Sequence, residues 1–370
     1  MKYLSQRHET HLIAQKLPAQ TEADVRRLEE MGIPTVIVDV NPWRSRLHCA
    51  LGLPIGRSLR VSWTRSHRTR IAIEKKMAEG GFDLVHIDRM RIGQYAPFIP
   101  LPKVVDFTDS LIMYFERSIK YRRKWGEWLV DRWELATIPS FERWLLPRID
   151  AALVCSGVDA AEFEKWHPGH RFDVIANAVD AEQFKPKNHG DNHRPRAVIT
   201  GTLFYFPNID SVLYYRESIL PRLKQSRPGL ETLIIGTRPE PEITVLDGRE
   251  GMRILANVPR MEEHLYEDDI YLCPLRAAAG VRNKLLEAMA ASMTVVTTPL
   301  GAEGMNVRHE KEVLMAETPD EFAHQFERAA NSPELRRALG ANARRYVIEN
   351  HSLPALGAQL ERLYERLLQK

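Results

Sequence analysis

The stretch DIYLCPLRAAAGVRNKLLEAMA, residues 269–290, predicts a buried strand, a turn that contains a glycine, and a helix. The predicted helix opens on Gly280 and carries Asn283, Lys284 and Glu287 on one face. A helix N-terminus offers unpaired N–H groups and a positive dipole end to phosphate, and a carboxylate one turn later can accept from two neighbouring hydroxyls. The pattern therefore predicts a nucleotide site, with the ribose diol at Glu287. A strand–helix unit whose Glu287 simply faces water explains the spacing equally well.

The composition is that of a globular protein with two domains. The chain has 370 residues, which is long for one domain, and 44% of them are hydrophobic. Its net charge of +3 is too small to indicate a nucleic-acid partner. The 3 cysteines predict reduced thiols and a cytoplasmic protein. The sequence shows neither a run of about 18 apolar residues that would cross a membrane nor an apolar signal sequence at its start.

Short apolar runs alternate with helical patterns along almost the whole chain. This alternation predicts an α/β protein with parallel sheets that helices cover on both faces. The polar, proline-containing segment 180–196 interrupts it and indicates a linker. We expect two doubly wound, Rossmann-like domains, residues 1–188 and 189–351, that face a central cleft, with a last helix in residues 352–370 that packs back on the first domain. The predicted strands are residues 10–14, 34–39, 83–87, 103–106, 151–155, 172–175, 197–200, 231–236, 253–256, 270–273 and 294–297.

Four loops of the second domain follow the carboxyl ends of predicted strands. Ligands of open α/β sheets bind at these ends. The loops contain Gly201 with Thr202, Arg238, the segment 280–287, and Glu303. We expect them to line one cleft, although any doubly wound domain has loops at this edge.

Several motifs of other site classes are missing from the sequence. There is no G-x-G-x-x-G after a strand, which argues against a nicotinamide or flavin cofactor. There is no H-E-x-x-H or C-x-x-C pair, so we expect no metal held by the protein. There is no G-x-S-x-G elbow of a serine hydrolase.

Seven segments of the second half occur in an order and spacing that are typical of one enzyme family. They are GTLFYFPNID (201–210), ILP (219–221), LIIG (233–236), NVP (257–259), CPLR (273–276), GVRNKLLEAMA (280–290) and TVVTT (294–298). With these segments, residues 197–350 resemble the donor-binding domain of family 4 GT-B glycosyltransferases, the glycosyl transferases group 1, and are most similar to enzymes tied to bacterial exopolysaccharide clusters. In the first half, NAVD at residues 177–180, followed by Phe184, resembles the family's N-G-V-D…F junction.

The resemblance implies a role for individual residues of the donor site. The family's ribose-binding glutamate falls on Glu287, and the start of its helix, here residues 280–284 with Val281 and Asn283, faces the diphosphate of a nucleoside diphosphate sugar. The loop near Val258 borders the base. The phosphate charge can come from Lys284, Arg282 or Arg238, and Lys284 is the expected partner. A solvated surface lysine at this position is the open alternative.

The chain departs from the family at three places. Members have a glutamate where this chain has Ala279, and many have an arginine and a lysine where it has Thr202 and Asn208. The resemblance also predicts that the first strand and glycine-rich loop of the family are missing, because residues 1–7 match the end of the helix that follows them. These departures allow a chain that keeps the fold and lacks activity.

Two residues are candidates for the catalytic role in the first domain. The resemblance places Thr108 where many members have a histidine and keeps the following aspartate as Asp109, which can orient or deprotonate the acceptor hydroxyl. Asp109 or Ser110 as the N-cap of the next helix explains the same residues. His86, at the end of a predicted strand, is the second candidate, and a structural histidine there fits equally.

Basic residues and tryptophans are concentrated in residues 57–76 and 120–144. This composition suits an anionic membrane surface and a lipid-linked acceptor. An amphipathic helix with its tryptophans in the core explains it as well and is slightly favoured.

Together these observations predict a hexosyltransferase-type enzyme without a cofactor or metal. It would move a sugar from a nucleoside diphosphate sugar to a glycan or lipid-linked acceptor, with retention, in bacterial surface or exopolysaccharide synthesis at the inner face of the cell membrane. The alternatives are a degenerate or truncated nucleotide-binding homologue without activity, and a nucleotide-sugar 2-epimerase.

Overall fold

The computed structural model describes residues 3–16, 26, 28–190 and 193–369. The chain forms two compact units, Met1–Ile175 together with Gly357–Lys370, and Ala176–Leu356. The boundary precedes the predicted one at residue 189, because the junction is bonded into the second unit. There the Asn177 side chain donates to the Val281 carbonyl at 2.9 Å, and the Val179 N–H donates to the His351 carbonyl at 2.9 Å.

The first unit is built on parallel strands. The strands β1 and β2 form a pair, and β3 to β6 form a four-stranded sheet in chain order. The strands are β1 Leu12–Lys16, β2 Thr35–Asp39, β3 Val85–Asp88, β4 Lys103–Thr108, β5 Ala151–Val154 and β6 Phe172–Val174. The helices are Pro42–Gly52, Leu59–Trp63, His67–Glu79, Leu111–Ser118, Trp125–Leu145 and Gly157–Trp166, with a 3₁₀ segment at Met90–Phe98.

The last helix, Leu353–Leu368, belongs to the first unit from Gly357 onward. Its Leu363 and Leu367 are buried against Val104 and Leu153 of the four-stranded sheet. A side chain at Gly357 would collide with the Tyr3 ring, so only glycine lets the two segments approach this closely.

The start of the chain was predicted to lack the family's first strand and loop. The structure has a 3₁₀ turn at Leu4–Gln6 and then β1, which pairs with β2. Residues 17–25 and 27, which follow β1, lie outside the described residues. The predicted absence therefore stays a prediction.

The second unit holds one six-stranded sheet in the order β12-β11-β10-β7-β8-β9, with all its strand pairs parallel. The α/β class with parallel sheets is thus confirmed. The strands are β7 Ala197–Thr202, β8 Thr232–Thr237, β9 Met252–Ala256, β10 Ile270–Cys273, β11 Thr294–Thr297 and β12 Leu314–Met315. The helices are Phe206–Tyr214, Leu220–Ser226, Pro241–Thr244, Asn283–Ala290, Pro319–Asn331 and Pro333–His351, and the π-helical turn Tyr215–Ile219 joins the first two.

Burial along the helix Trp125–Leu145 is the reverse of the expectation that its tryptophans are in the core. Glu134 and Glu142 are fully buried, whereas Trp125 is 75% exposed. The buried carboxylates have partners: Glu134 accepts from the Ser58 hydroxyl at 2.6 Å, and Glu142 lies 2.8 Å from His167 Nε2. Each carboxylate has a hydrogen-bond partner inside, although Glu142 Oε1 has none among the described residues. Because of these partners, the helix can turn both carboxylates inward and leave apolar rings at the surface.

Two further expectations concern thiols and membrane spans. Cys155 and Cys273 are buried and Cys49 is partly buried, and all three are free thiols. Within the described residues, no helix combines the length and the apolar character needed to cross a bilayer.

Asp269 fastens the predicted linker to the sheet of the second unit. Its carboxylate is fully buried and accepts from the Arg196 guanidinium at 2.6 Å, and it lies 2.7 Å from His193 Nε2. Burial alone would raise the pKa of this carboxyl, but the hydrogen bonds from Arg196 and His193 outweigh it and hold the pKa below its ordinary value. The anion is therefore the form that the fold requires.

We expect Asp269→Ala to lower the free energy of unfolding by about 3–5 kcal/mol, because it leaves the Arg196 charge without its buried partner. The matched control is Asp320→Ala, which removes an exposed aspartate paired with Arg222 and should cost less than about 1 kcal/mol. Urea denaturation measures both. Equal losses in the two variants would contradict the assigned importance of the buried pair.

The same pair should make the wild type sensitive to acid. Because the folded pKa of Asp269 is depressed, its contribution is present above the ordinary aspartate pKa and is lost as the pH falls through the folded value. The stability difference between wild type and Asp269→Asn should therefore shrink on acidification, as followed by urea denaturation at several pH values.

Candidate functional site

The helix Asn283–Ala290 begins three residues later than predicted. Gly280 has φ 78°, a left-handed conformation that an α-helix excludes, so the backbone turns before the helix starts. The N-cap Arg282 makes no capping bond with its side chain. The turn is held from outside, because Val281 accepts from Asn177 and the Arg282 guanidinium donates to the Leu300 carbonyl at 3.0 Å.

Lys284 lies in the first turn of this helix and connects it to the helix Phe206–Tyr214, which follows β7. Its ammonium donates to Asn208 Oδ1 at 2.8 Å, and Asn208 Nδ2 donates in turn to the Thr202 carbonyl at 3.0 Å. A side chain at Gly201 would lie 2.6 Å from Asn208 Nδ2, so glycine is required for this approach. Tertiary structure thus brings together four residues that the sequence predicted for the donor site.

The ammonium of Lys284 is a shielded charge. Burial lowers its pKa, with Arg282 acting in the same direction and Glu287 opposing it. Lys284 forms no ion pair with any other described residue, since its hydrogen-bond partner Asn208 is neutral. A shielded cation without a direct counter-ion is a suitable partner for a bound anion.

Glu287 lies one turn further into the same helix. Burial raises the pKa of its carboxyl, nearby Glu262 raises it further, and Lys284 partly offsets both. Among the residues that the structure describes, the carboxyl has no hydrogen-bond or ion-pair partner. It is partly buried rather than turned fully into water, and it is available to accept from the hydroxyls of a ligand.

The loop after β8 contributes Arg238, which contacts an aromatic residue of the loop after β7 that sequence reasoning missed. The Arg238 N–H donates to Asn257 Oδ1 at 2.9 Å, and both residues have a left-handed backbone. The Arg238 guanidinium lies 3.9 Å from the centre of the exposed Phe204 ring. Val258 follows Asn257 and is half-buried. The only sequence signal for Phe204 was its place in the loop after β7.

The loop after β11 is tied to the loop after β10. The Thr298 hydroxyl donates to the Leu275 carbonyl at 2.8 Å and accepts from the Gly301 N–H at 2.9 Å. Glu303 follows in this turn and is half-buried. The structure thus confines this loop to the same sheet edge as the start of the helix Asn283–Ala290.

His86 lies in the first unit, inside β3 rather than at its end. Its Nδ1 is 2.8 Å from the Tyr364 hydroxyl of the last helix. Burial lowers the pKa of His86, while Asp106 and Asp88 act to raise it. Asp106 is itself buried enough to have a raised pKa. The structure therefore places beside His86 an acidic residue that the sequence did not single out.

Asp109 lies directly before the helix Leu111–Ser118. Ser110, not Asp109, is the N-cap, since its hydroxyl accepts from the Met113 N–H at 3.2 Å. Asp109 Oδ1 is 3.9 Å from Arg89 Nη1. The preceding Thr108 has φ 68°, a strained conformation for a β-branched residue. The catalytic assignments of Asp109 and His86 stay predictions.

One group of side chains in the second unit has the spacing of metal ligands. Within the described residues, the ligand atoms of His189, His193 and Asp268 all lie within 4.8 Å of one another. The Arg196 guanidinium is 2.6 Å from His189 Nε2 and brings positive charge to the group, which opposes a cation. The expected absence of a metal stays a prediction.

Residues 194–332 match the family described as glycosyl transferases group 1. This part of the chain is similar to that family, which confirms the predicted resemblance. Residues 194–332 contain every predicted donor-site residue, from Gly201 to Glu303.

Two relatives share the glycosyl transferases group 1 part. "Glycosyltransferase 1 domain-containing protein 1" of Xenopus tropicalis is 26% identical over 144 residues, 37% of this chain and 42% of the relative. An "Uncharacterized 44.6 kDa protein in cps region" of Klebsiella pneumoniae is 24% identical over 169 residues, 44% of each chain. The alignments thus span less than half the length of these curated relatives.

Solved structures confirm the GT-B fold. Anabaena Alr3699/HepE in complex with UDP and glucose has a TM-score of 0.68 at 12% identity, over 98% of this chain and 94% of that one. A glycosyltransferase from Rickettsia africae has a TM-score of 0.64 at 13% identity, over 98% and 100%. S. aureus TarM, in a complex that includes UDP, has a TM-score of 0.59 at 10% identity, over 80% and 59%.

The shielding of Lys284 can be measured directly. In protein labelled with ¹³C at the lysine ε-carbons, one resonance should titrate at lower pH than the exposed lysines, because burial disfavours the ammonium. Its disappearance in Lys284→Arg assigns it. A Lys284 resonance that titrates together with the exposed lysines would contradict the assigned burial.

Proposed function

We propose that this protein is a retaining glycosyltransferase that takes its sugar from a nucleoside diphosphate sugar. The observation that carries this proposal is the pair of side chains on one helix, an ammonium without an ion-pair partner at Lys284 and an unbonded carboxyl at Glu287. The ammonium and the helix N-terminus suit a diphosphate, and the carboxyl suits the two hydroxyls of a ribose.

In this mechanism the diphosphate leaves as the bond to the sugar breaks, and negative charge grows on its oxygens. Lys284 and the N–H groups at the start of the helix Asn283–Ala290 are already oriented toward that charge, so they stabilise the transition state more than the ground state. The positive charge comes from the protein, and we propose that no metal ion is required.

The acceptor is proposed to be a glycan or a lipid-linked sugar of bacterial surface polysaccharide. A relative from a cps region and structural neighbours in complex with UDP and sugars support this direction. The sugar transfer would take place at the inner face of the cell membrane. Asp109 is the proposed orienting or basic group for the acceptor hydroxyl, and His86 is the second candidate.

A nucleotide-binding homologue without transfer activity is the second candidate, and Ala279 favours it. This residue is buried at the position where family members have a glutamate. The test is incubation with UDP-sugars and a bacterial membrane fraction. If the enzyme works without this carboxylate, wild type should transfer sugar and Ala279→Glu should not transfer more. Nucleotide binding without transfer in wild type, together with transfer gained in Ala279→Glu, would support the inactive reading.

Glu287→Ala should weaken UDP binding at least about tenfold, because a hydrogen bond to a charged group contributes about 1.5–3 kcal/mol. Isothermal titration calorimetry with UDP, GDP and ADP identifies the base and measures the loss. Glu349→Ala removes an exposed glutamate of another helix and is the matched control. Equal affinity of Glu287→Ala and wild type would refute the ribose assignment.

Nucleotide affinity should depend on pH in two opposite directions. The raised pKa of Glu287 places an acid limb above the ordinary glutamate range, where protonation removes the acceptor. The lowered pKa of Lys284 places an alkaline limb below the ordinary lysine range, where the ammonium loses its charge. Glu287→Gln should remove the first limb, and Lys284→Arg should move the second to higher pH. An unchanged profile in either variant is the contrary outcome.

A further inference from the structure

A large cavity in the first unit lies where β2 ends and plays no part in the donor site. It has a volume of about 890 Å³. Its wall includes Asp39 at the end of β2 and Asn41 after the strand, and it continues along the helix Pro42–Gly52 to the start of the helix His67–Glu79. All of its lining residues belong to the first unit. Cavities of this size are typical of ligand sites.

The lining of the cavity is strongly cationic. Five arginines line it, and Asp39 is the one carboxylate among the lining residues. Arg70 pairs with Glu74 at 2.9 Å, whereas the other four form no ion pair with any described residue. His48 adds a buried ring nitrogen, Nδ1, that has no hydrogen-bond partner in the described part of the chain. The arginines are Arg44, Arg57, Arg65, Arg68 and Arg70.

An apolar stripe leads from the mouth of this cavity along the helix Pro42–Gly52. Trp43, Leu47 and Leu51 follow one another at intervals of four residues, so they lie on one face of the helix. They are 74%, 56% and 63% exposed. Leu51 also lines the cavity, as does the exposed Trp144. Large apolar side chains grouped at the surface indicate an interaction site.

We infer that this cavity and stripe bind a phosphate-bearing lipid at a membrane surface. The arginines match the phosphate, since guanidinium groups bind phosphate oxygens through paired N–H donors. The stripe matches the apolar part of the bilayer boundary, where tryptophan and leucine of an amphipathic helix insert beside basic residues. A phosphate without the lipid would use the cavity and leave the stripe unpartnered. The inference rests on the proposed function in one respect, that this lipid carries the acceptor.

The first experiment measures sedimentation of the full-length chain with phosphatidylcholine vesicles that contain one fifth phosphatidic acid. Arg65→Ala/Arg68→Ala should lower the partition constant roughly 25-fold, because each basic residue near an anionic surface contributes about 1 kcal/mol. The control is Arg249→Ala/Arg253→Ala, which removes the same charge from exposed sites in the second unit. Equal losses in the two double variants would show attraction by net charge alone and overturn the inference.

The second experiment tests the apolar stripe with the same vesicles. Leu47→Ser/Leu51→Ser should weaken binding at least about tenfold, since each leucine loses its transfer into the apolar layer. Val245→Ser/Ile348→Ser removes exposed apolar residues of the second unit and should leave binding unchanged. Binding of free glycerol 3-phosphate to wild type, with no binding to the vesicles, would mean a site for a water-borne phosphate and would overturn the lipid assignment.

UDP titration separates this inference from the proposed function. The cavity and stripe variants should keep wild-type affinity for UDP, and Glu287→Ala should keep wild-type binding to vesicles. Loss of UDP binding in Glu287→Ala with no vesicle binding by wild type would refute the lipid site alone. Vesicle binding that depends on Arg65 and Arg68, without any nucleotide binding, would refute the donor site alone.

Discussion

The close approach of β7 and β8 is the constraint on which the second unit depends. Gly201 and Gly236 are partners in the register of these strands, and a side chain at Gly236 would come within 1.8 Å of the Gly201 carbonyl oxygen. Because both residues are glycine, the strands stay paired up to their carboxyl ends. Gly201 also leaves room for Asn208, which receives Lys284. The candidate donor site therefore depends first on a backbone contact and not on a charged residue.

The candidate site combines Lys284 and Glu287, and burial disfavours the charged form of each side chain. Lys284 is pushed toward the neutral amine and Glu287 toward the neutral acid, so each group gains from a ligand that restores its charge. The proposed diphosphate beside the ammonium would supply negative charge, and ribose hydroxyls that donate to the carboxylate would stabilise the anion. The arrangement is poorly satisfied when empty, which is a common property of binding sites.

The first unit distributes polar and apolar groups in an unusual way. The helix Trp125–Leu145 buries two glutamates, each with a partner, and exposes tryptophans, while four of the five arginines in the cavity near β2 have no acidic partner among the described residues. Burying paired carboxylates removes negative charge from the surface, and the exposed arginines are then not neutralised locally. The resulting surface is both apolar and cationic. The stability of the fold in water does not require this combination.

The sequence alone indicated most of the strands and the resemblance to the glycosyl transferases group 1 family. The predicted strands at residues 270–273 and 294–297 have the observed bounds, because a buried parallel strand is a continuous apolar run that can be read locally. The two-residue β12 was not predicted, since so short an edge strand has no periodicity. Lys284 and Glu287 were also found from sequence, because their spacing on one helix is a local property.

Only the tertiary structure decided which distant residues meet. The bond between Lys284 and Asn208 joins positions 76 residues apart, and the arginines of the cavity come together through the packing of several helices. Sequence reasoning expected the tryptophans of the helix Trp125–Leu145 in the core, because hydrophobicity is read residue by residue. The partners that satisfy Glu134 and Glu142, Ser58 and His167, lie far away in the sequence. Burial of a charged group depends on such partners, and the fold alone supplies them.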